Sequence, residues 1–195
     1  MKHQLSIICL ALILMSGSQV FAKTAVGNYR NINNNILPLS YTSKDDTHWA
    51  LSKALPLPFD VAGSQKSILQ GVTCDKTGVH CCAVGFYQST SNNIVPFSFS
   101  SQNGGATWSL SNPFPLPIDV ASNGVQKSEL HSITCDETGV HCVTVGQYMT
   151  NTNSIVPFIY TSNNSGVSWS LTGTLLKPSD TAAVGNQLSS LLSND

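Results

Sequence analysis

Apolar and polar positions alternate along this chain in short runs, and the runs recur about every 60 residues. The runs are rich in β-branched and aromatic residues and are bounded by Gly, Asn or Pro, which is typical of antiparallel strands joined by hairpins. No segment of useful length has the amphipathic period of a helix. In the central part of the chain the pattern predicts four strands, at Gly71–Asp75, His80–Tyr87, Val95–Ser101 and Thr107–Ser111.

Three landmarks recur in a fixed order and define the repeat. A Val-Gly-x-Tyr sequence is followed by Ile-x-Pro and then by a tryptophan; the three copies begin at Val26, Val84 and Val145 and end at Trp49, Trp108 and Trp169. A fixed period of this length predicts a repeat architecture, in which no unit buries its apolar face alone. Four antiparallel strands per period is the size of a propeller blade. The predicted fold is therefore all-β, with propeller-type blades and about three incomplete repeats at 23–80, 81–141 and 142–195.

The first 22 residues are expected to lie outside this repeat domain, which spans residues 23–195. A short basic start precedes an apolar run from Leu5 to Met15, which is too short to span a bilayer comfortably. Val20-Phe21-Ala22 places small or β-branched residues where a signal peptidase reads them. This pattern predicts a secretory signal peptide cleaved after Ala22, and hence a periplasmic or extracellular protein.

Charge excludes two classes of partner. Without Lys2 the chain has 8 basic and 10 acidic residues, a net charge of −2. This balance provides no electrostatic footprint for nucleic acid or for an anionic membrane. No later stretch is long enough to insert into a membrane.

Two hairpins carry a repeated cysteine motif. Cys74 and Cys81 flank an Asp-Lys-Thr-Gly turn, and Cys135 and Cys142 flank the equivalent Asp-Glu-Thr-Gly turn. In an exported chain this spacing predicts one disulfide per hairpin. Metal binding with His80 or His141 is the competing interpretation, but two cysteines and one histidine fall short of a closed four-ligand zinc site. We expect no metal and no cofactor.

Cys82 has no cysteine counterpart in the next unit, where Val143 stands. Neighbouring strand residues face opposite sides of a sheet, so Cys82 is expected to point away from the disulfide of Cys81. A buried, unreactive thiol is the favoured interpretation, and an intermolecular bridge is the alternative.

The turn before each later tryptophan has a specific sequence, Ser-x-Asn-x-Gly-x-Thr/Ser-Trp. Its asparagine can accept backbone N–H groups across the turn, and its glycine supplies a positive φ. This sequence resembles the Asp-box, or BNR, repeat of sialidase-type β-propellers, and the chain as a whole resembles secreted bacterial Asp-box proteins. The resemblance implies that the box serves the fold and lies away from any active site. The box residues are Ser101, Asn103, Gly105 and Trp108, and then Ser162, Asn164, Gly166 and Trp169.

The first copy of this turn, Ser43 to Trp49, is one residue shorter and lacks the glycine, so its geometry is left open. Sialidases of this fold bind the substrate carboxylate with three arginines, whereas the mature chain has Arg30 alone. Its acidic residues fall mostly in repeat-equivalent pairs, which is typical of architecture and not of a single active site. We therefore expect no catalytic residues and no enzyme.

Binding is the remaining function. The loops at residues 30–35, 88–93 and 149–154 differ between the units, and variable loops at one end of similar blades are where a binding face forms. We expect a secreted, non-enzymatic module that binds a glycan or a protein. The alternatives are a degenerate sialidase-like glycoside hydrolase fragment and a truncated propeller without independent function.

The repeat also bears on assembly. Lys23 aligns with Cys81, so the mature chain enters its first unit at the second strand, and Asp195 aligns with Thr134 at the start of a strand. Propellers have four to eight blades. Three incomplete blades are expected to form an open arc that associates, for example as a six-bladed homodimer, or that behaves as an unstable fragment.

Overall fold

The computed structural model describes residues 22–63, 66–122 and 125–175. The signal peptide prediction falls on residues 1–22, of which all but Ala22 lie outside the described part. The described part consists of strands, turns and loops, and none of its elements is a helix that could cross a membrane.

The first sheet contains β1 (Lys23–Arg30), β2 (Ile36–Ser43) and β3 (Trp49–Leu51). The second contains β4 (Ser67–Cys74), β5 (Cys81–Gln88), β6 (Ile94–Ser101) and β7 (Ser109–Leu110). The third contains β8 (Ser128–Cys135), β9 (Cys142–Met149), β10 (Ile155–Ser162) and β11 (Ser170–Thr174).

Each sheet is an antiparallel meander in which strands that follow one another in the chain lie side by side. The second and third sheets have four strands each, and the first has three. Sheets of this kind, packed face to face in chain order, are propeller-type blades, and the predicted fold class is confirmed. The edge strand β1 of the first sheet is equivalent to β5 and β9, which are the second strands of the other two sheets.

Two of the four predicted strands differ from the observed ones by more than one residue at a boundary. The first strand of the second sheet begins at Ser67, four residues before the predicted Gly71. A bulge between Leu69 and Gly71 shifts the register against β5, and this extra residue breaks the alternation by which a strand is recognised. The fourth strand, β7, has two residues instead of five, because it pairs only with Phe99 and Ser100 of β6.

Two cores hold the sheets together, one at each junction. The core between the first and second sheets contains Tyr87, Phe97, Phe99 and Trp108, with Val26 of the first sheet packed against them. The core between the second and third sheets contains Val84 of the second sheet and the following residues of the third: Leu130, Tyr148, Phe158, Tyr160 and Trp169. Aromatic rings meet edge to face in both, as between Phe97 and Phe99 at 5.0 Å.

One glycine in each complete sheet allows a close approach of the backbone. A Cβ on Gly85 would lie 1.9 Å from the carbonyl oxygen of Ile68, and a Cβ on Gly146 would lie 1.9 Å from that of Glu129. In both sheets the crowding atom belongs to the bulged first strand. The recurring glycine of Val-Gly-x-Tyr therefore makes room for the strand that precedes it.

Candidate binding face

Three loops with nearly the same backbone conformation lie at the same end of the three sheets. They join β1 to β2, β5 to β6 and β9 to β10. In each loop an asparagine takes a left-handed conformation, with φ of 65° at Asn34, 67° at Asn92 and 60° at Asn153. Asparagine tolerates this region because its short side chain bonds locally. The recurring asparagine thus sets the same turn three times.

Each loop is closed by its own first polar side chain. The Asn31 carboxamide oxygen accepts the backbone N–H of Asn35 at 3.0 Å. Ser89 Oγ accepts the N–H of Asn93 at 3.2 Å, and Thr150 Oγ1 accepts that of Ser154 at 3.1 Å. Since the closing bonds are internal, the loop conformation does not depend on a ligand. The exposed tips differ: Ile32-Asn33-Asn34, Thr90-Ser91-Asn92 and Asn151-Thr152-Asn153.

A proline-rich connector reaches the same end before each complete sheet. The Asp60 carboxylate accepts the Tyr87 hydroxyl at 2.8 Å, and the Asp119 carboxylate accepts the Tyr148 hydroxyl at 2.8 Å. The Asp60 carbonyl also accepts the N–H of Thr90. Burial, followed by the bond to Asp60, raises the pKa of Tyr87 above its usual range. These bonds fix each connector turn beside the loop of the next sheet.

Three apolar side chains protrude fully into solvent at this end. Ile32 stands on the first loop, while Phe59 and Ile118 stand on the two connector turns, directly before the anchored aspartates. We call the three loops and two connector turns the loop face.

The sequence pattern located the loops but missed Phe59 and Ile118. Their signal was available, since each follows a proline and precedes an aspartate in the recurring connector, at a position that turn chemistry normally gives to a polar residue.

The opposite end of the sheets carries the cysteine hairpins. Cys74 is bonded to Cys81 and Cys135 to Cys142, so both predicted disulfides are confirmed. Each pair is directly opposite in its ladder, at the last residue pair before the turn. Two disulfides in one small domain indicate an oxidising compartment, either extracellular or periplasmic.

Acidic side chains at this end serve the hairpin turns. The nearly buried Asp75 carboxylate lies 2.8 Å from His80 Nδ1 and accepts the N–H of Val79 at 2.9 Å. Burial raises the pKa of Asp75, but the hydrogen bonds from His80, Thr77 and Val79 outweigh it and hold the pKa below its usual value. A cavity of about 380 Å³ separates the two hairpins and is lined by Asp75, Lys76, Asp136 and Glu137, among others. Lys76 pairs with Glu137 across it at 2.9 Å.

The two Ser-x-Asn-x-Gly-x-Thr/Ser-Trp turns, which we call the box turns, also lie at this end. Asn103 Oδ1 accepts the N–H of Thr107 at 2.9 Å, and Ser101 Oγ accepts the N–H of Gly105 at 2.9 Å. Gly105 has a φ of 79° and Trp108 is buried. The second box repeats these bonds: Asn164 accepts from Ser168, Ser162 accepts from Gly166, whose φ is 75°, and Trp169 is buried and donates to Ser98.

The shortened first box still forms a turn. Asp45 Oδ1 accepts the N–H groups of Thr47 and His48, at 3.0 and 2.8 Å. Asp46 has a positive φ of 63°, as do Gly104 and Ser165 at the same place after the Asn, and the shortened turn lacks the second positive-φ residue, Gly105 or Gly166, of the other copies. Bonds from the backbone and side chain of His48 lower the pKa of Asp45 well below its usual value.

Cys82 is buried and forms no disulfide. Its sulfur donates to the carbonyl of Ser165 at 3.0 Å and lies 3.9 Å from Cys142 Sγ. Burial raises the pKa of the Cys82 thiol to about 12, which keeps it protonated. The sulfurs of Cys82, Cys135 and Cys142 lie within 4.8 Å of one another, but the last two share a disulfide, so this group offers one thiol and not a set of three thiolates.

A scan against protein-family models finds no match, and a search of curated proteins finds none either. Among solved structures, the chain is similar to the crystal structure of exo-inulinase from Aspergillus awamori, with 15% sequence identity and a TM-score of 0.44. The match covers 79% of this chain and 35% of that one, so this chain spans about a third of the length of the structure it matches. A likeness this weak supports no inference about activity.

Proposed function

We propose that this protein is an exported, non-catalytic binding module built of Asp-box (BNR) repeats, and that its loop face binds a glycan or a protein. The observation that carries the proposal is the full exposure of Ile32, Phe59 and Ile118 on segments that are already fixed by hydrogen bonds. The loop of Ile32 is closed by Asn31, and the turns of Phe59 and Ile118 are held by the Asp60–Tyr87 and Asp119–Tyr148 bonds. Preformed loops lose little conformational entropy on binding, so apolar contacts made at their tips contribute directly to affinity.

The side chains of the loop face suit an uncharged ligand surface. The tips are mainly Asn, Ser and Thr, and the protruding groups are apolar. A glycan would stack on the Phe59 ring and bond to the amide and hydroxyl groups. A protein partner would use all three apolar side chains as anchors.

We propose that the protein is not a catalyst because its acidic side chains and Arg30 are engaged in hydrogen bonds that hold turns and loops. Asp60, Asp119 and Asp75 each hold a turn or a connector through hydrogen bonds. Arg30 bonds Asn34 of its own loop through Nη1, at 2.7 Å from Oδ1. We expect no turnover of a fluorogenic sialoside, and turnover that is lost in Arg30→Ala would overturn this part of the proposal.

Binding is tested with the secreted protein and one variant at each end of the sheets. The variant Ile32→Ser, Phe59→Ser, Ile118→Ser removes the apolar contacts of the loop face. The control Val79→Ser, Val140→Ser makes the same kind of change on exposed valines of the opposite end. On a glycan array and in quantitative affinity capture, we expect the first variant to lose its ligand and the control to keep it. Equal binding by both variants would refute the loop face as the binding site.

A further inference from the structure

The first sheet exposes a face that its counterparts bury. Tyr29, Tyr41 and Trp49 are 43%, 38% and 46% exposed, whereas the equivalent Tyr148, Tyr160 and Trp169 are 2%, 0% and 6% exposed. A mostly apolar cavity of about 500 Å³ lies here, lined in part by Tyr29, Leu37, Leu39 and Tyr41. We call this surface the open face.

One edge of the first sheet, that of β1, has no partner strand within the described residues. Among the described residues β1 pairs only with β2, although the equivalent β5 and β9 pair on both sides. Gly27 has the same place in its strand as Gly85 and Gly146, yet a Cβ on Gly27 would meet nothing within 4 Å. In the other two sheets the first strand's backbone fills this space, so Gly27 leaves room for a strand that the described residues do not supply.

Residues 176–195 repeat the sequence pattern of a connector and a first strand. The first strands of the second and third sheets begin in the sequence Gln-Lys-Ser-x-Leu, at Gln65 and Gln126. The same spacing returns at Gln187, Ser189 and Leu191, 61 residues after Gln126, Ser128 and Leu130. Asp180 likewise falls 61 residues after Asp119, the residue that accepts the Tyr148 hydroxyl.

Leu175, at the start of the connector that follows the third sheet, is more exposed than its equivalents. Phe114 stacks on Trp169 at 5.4 Å and is 7% exposed, and Leu55 is 9% exposed in the preceding core. Leu175, the next residue in this series, is 38% exposed. Leu175 and the open face are both exposed in the same chain, so Leu175 itself does not cover that face within the chain.

We propose that residues 176–195 of a second copy dock on the open face, with their strand added to the free edge of β1. By equivalence with the third sheet, Leu191 lies opposite Gly27, Ser190 lies opposite Asn28, and Asp180 accepts the Tyr29 hydroxyl. Each copy gives a strand and receives one, so the pair is a two-fold symmetric dimer. This inference is independent of the proposed binding at the loop face.

Disulfide trapping tests the register and the partner. Glu129 and Gln147 are opposite in the third sheet, and their equivalents are Ser190 and Asn28. We expect a mixture of the single variants Asn28→Cys and Ser190→Cys to form, on oxidation, a dimer linked between these two positions. The matched control is Gln147→Cys mixed with Ser190→Cys, in which β8 already covers the position and no link is expected. A link that forms only within one chain of the Asn28→Cys, Ser190→Cys double variant, or no link at all, would overturn the proposal.

A glycine pair tests the same inference without crosslinks. Gly27 and Gly173 both have open space around them, so alanine fits at either position in one copy. Gly27→Ala would place a methyl group against the incoming strand and is expected to weaken the dimer about ten- to hundredfold. Gly173→Ala is expected to leave the dimer constant unchanged. Sedimentation equilibrium measures both, and equal dimer constants would contradict the predicted strand position.

Discussion

The first and third sheets have equivalent sequences but very different environments. Tyr29 and Tyr148 follow the same Val-Gly pair, yet the first is 43% exposed and the second 2%. The residues of the first sheet are not less apolar, since Leu37, Leu39 and Tyr41 stand where the third sheet has Val156, Phe158 and Tyr160. The difference lies in the neighbours. The face of the third sheet that carries Tyr148 packs on Val84 of the second sheet, and that sheet has its own first strand. The first sheet packs on the second through its other face, at Val26, and its described part has no first strand. In this repeat, an apolar side chain is buried by the neighbouring unit and not by its own unit alone.

The largest effect is expected at the glycine that admits the first strand. Gly146→Ala places a Cβ 1.9 Å from the backbone oxygen of Glu129, so β8 and β9 must separate. We expect a loss of about 3 kcal/mol or more in the free energy of unfolding. Gly27→Ala is the matched control, and at concentrations where the chain is monomeric it should be close to neutral. Urea denaturation measures both, and equal losses would show that β1 is already covered.

A smaller loss is expected from the disulfide of the third sheet. The loop closed by Cys135 and Cys142 has a sequence separation of 7, and removal of such a crosslink costs about 2–3 kcal/mol. The variant Cys135→Ala, Cys142→Ala should therefore unfold at lower urea concentration than the parent. Reduction of this variant should then cause a further loss through Cys74–Cys81 alone. An unchanged urea midpoint in the variant would mean that the bond does not constrain the unfolded chain.

A smaller difference in stability between the first and third sheets is expected from the tyrosine hydroxyl that bonds the connector aspartate. Tyr148→Phe removes the hydroxyl that donates to the Asp119 carboxylate at 2.8 Å and leaves that carboxylate without this donor. We expect a cost of about 1.5–3 kcal/mol. Tyr29→Phe in the monomer should cost much less, because the Tyr29 side chain is largely exposed. Thermal unfolding of both variants checks the contrast, which fails if the two midpoints shift equally.

These contrasts show how far the sequence could predict the structure. The strands, their order and the disulfides follow from local signals, namely apolar alternation, Gly and Asn at the turns, and cysteines at a fixed spacing. The bulge at Leu69 and the exposure of Tyr29 depend on backbones that lie in another strand or another sheet. Phe59 had a local signal, since it stands in a Pro-x-Asp turn where a polar residue is usual, but whether a neighbour covers it depends on other segments of the chain.

The smallest expected effect is on pH dependence. His131 lies buried on β8, its Nδ1 3.3 Å from the Gln70 side chain. Burial lowers the pKa of His131 below its usual value, against an opposing effect of Glu129. The unfolded chain therefore binds the proton more tightly, and stability falls as pH drops below about 6.5, the ordinary histidine value. Gln70 occupies the equivalent position in β4, so His131→Gln should fold and should lose less stability between about pH 7 and pH 5. An identical pH profile in the parent and the variant would exclude His131 as the group responsible.

Amide hydrogen exchange on the intact chain tests most directly whether the first sheet differs from the others only in its neighbours. In dilute solution β1 should exchange faster than β5 and β9, because only one of its edges is paired within the described residues. At high concentration, where a second copy covers that edge, β1 should gain protection while β5 and β9 stay unchanged. Protection of β1 equal to that of β9 at every concentration would contradict the account.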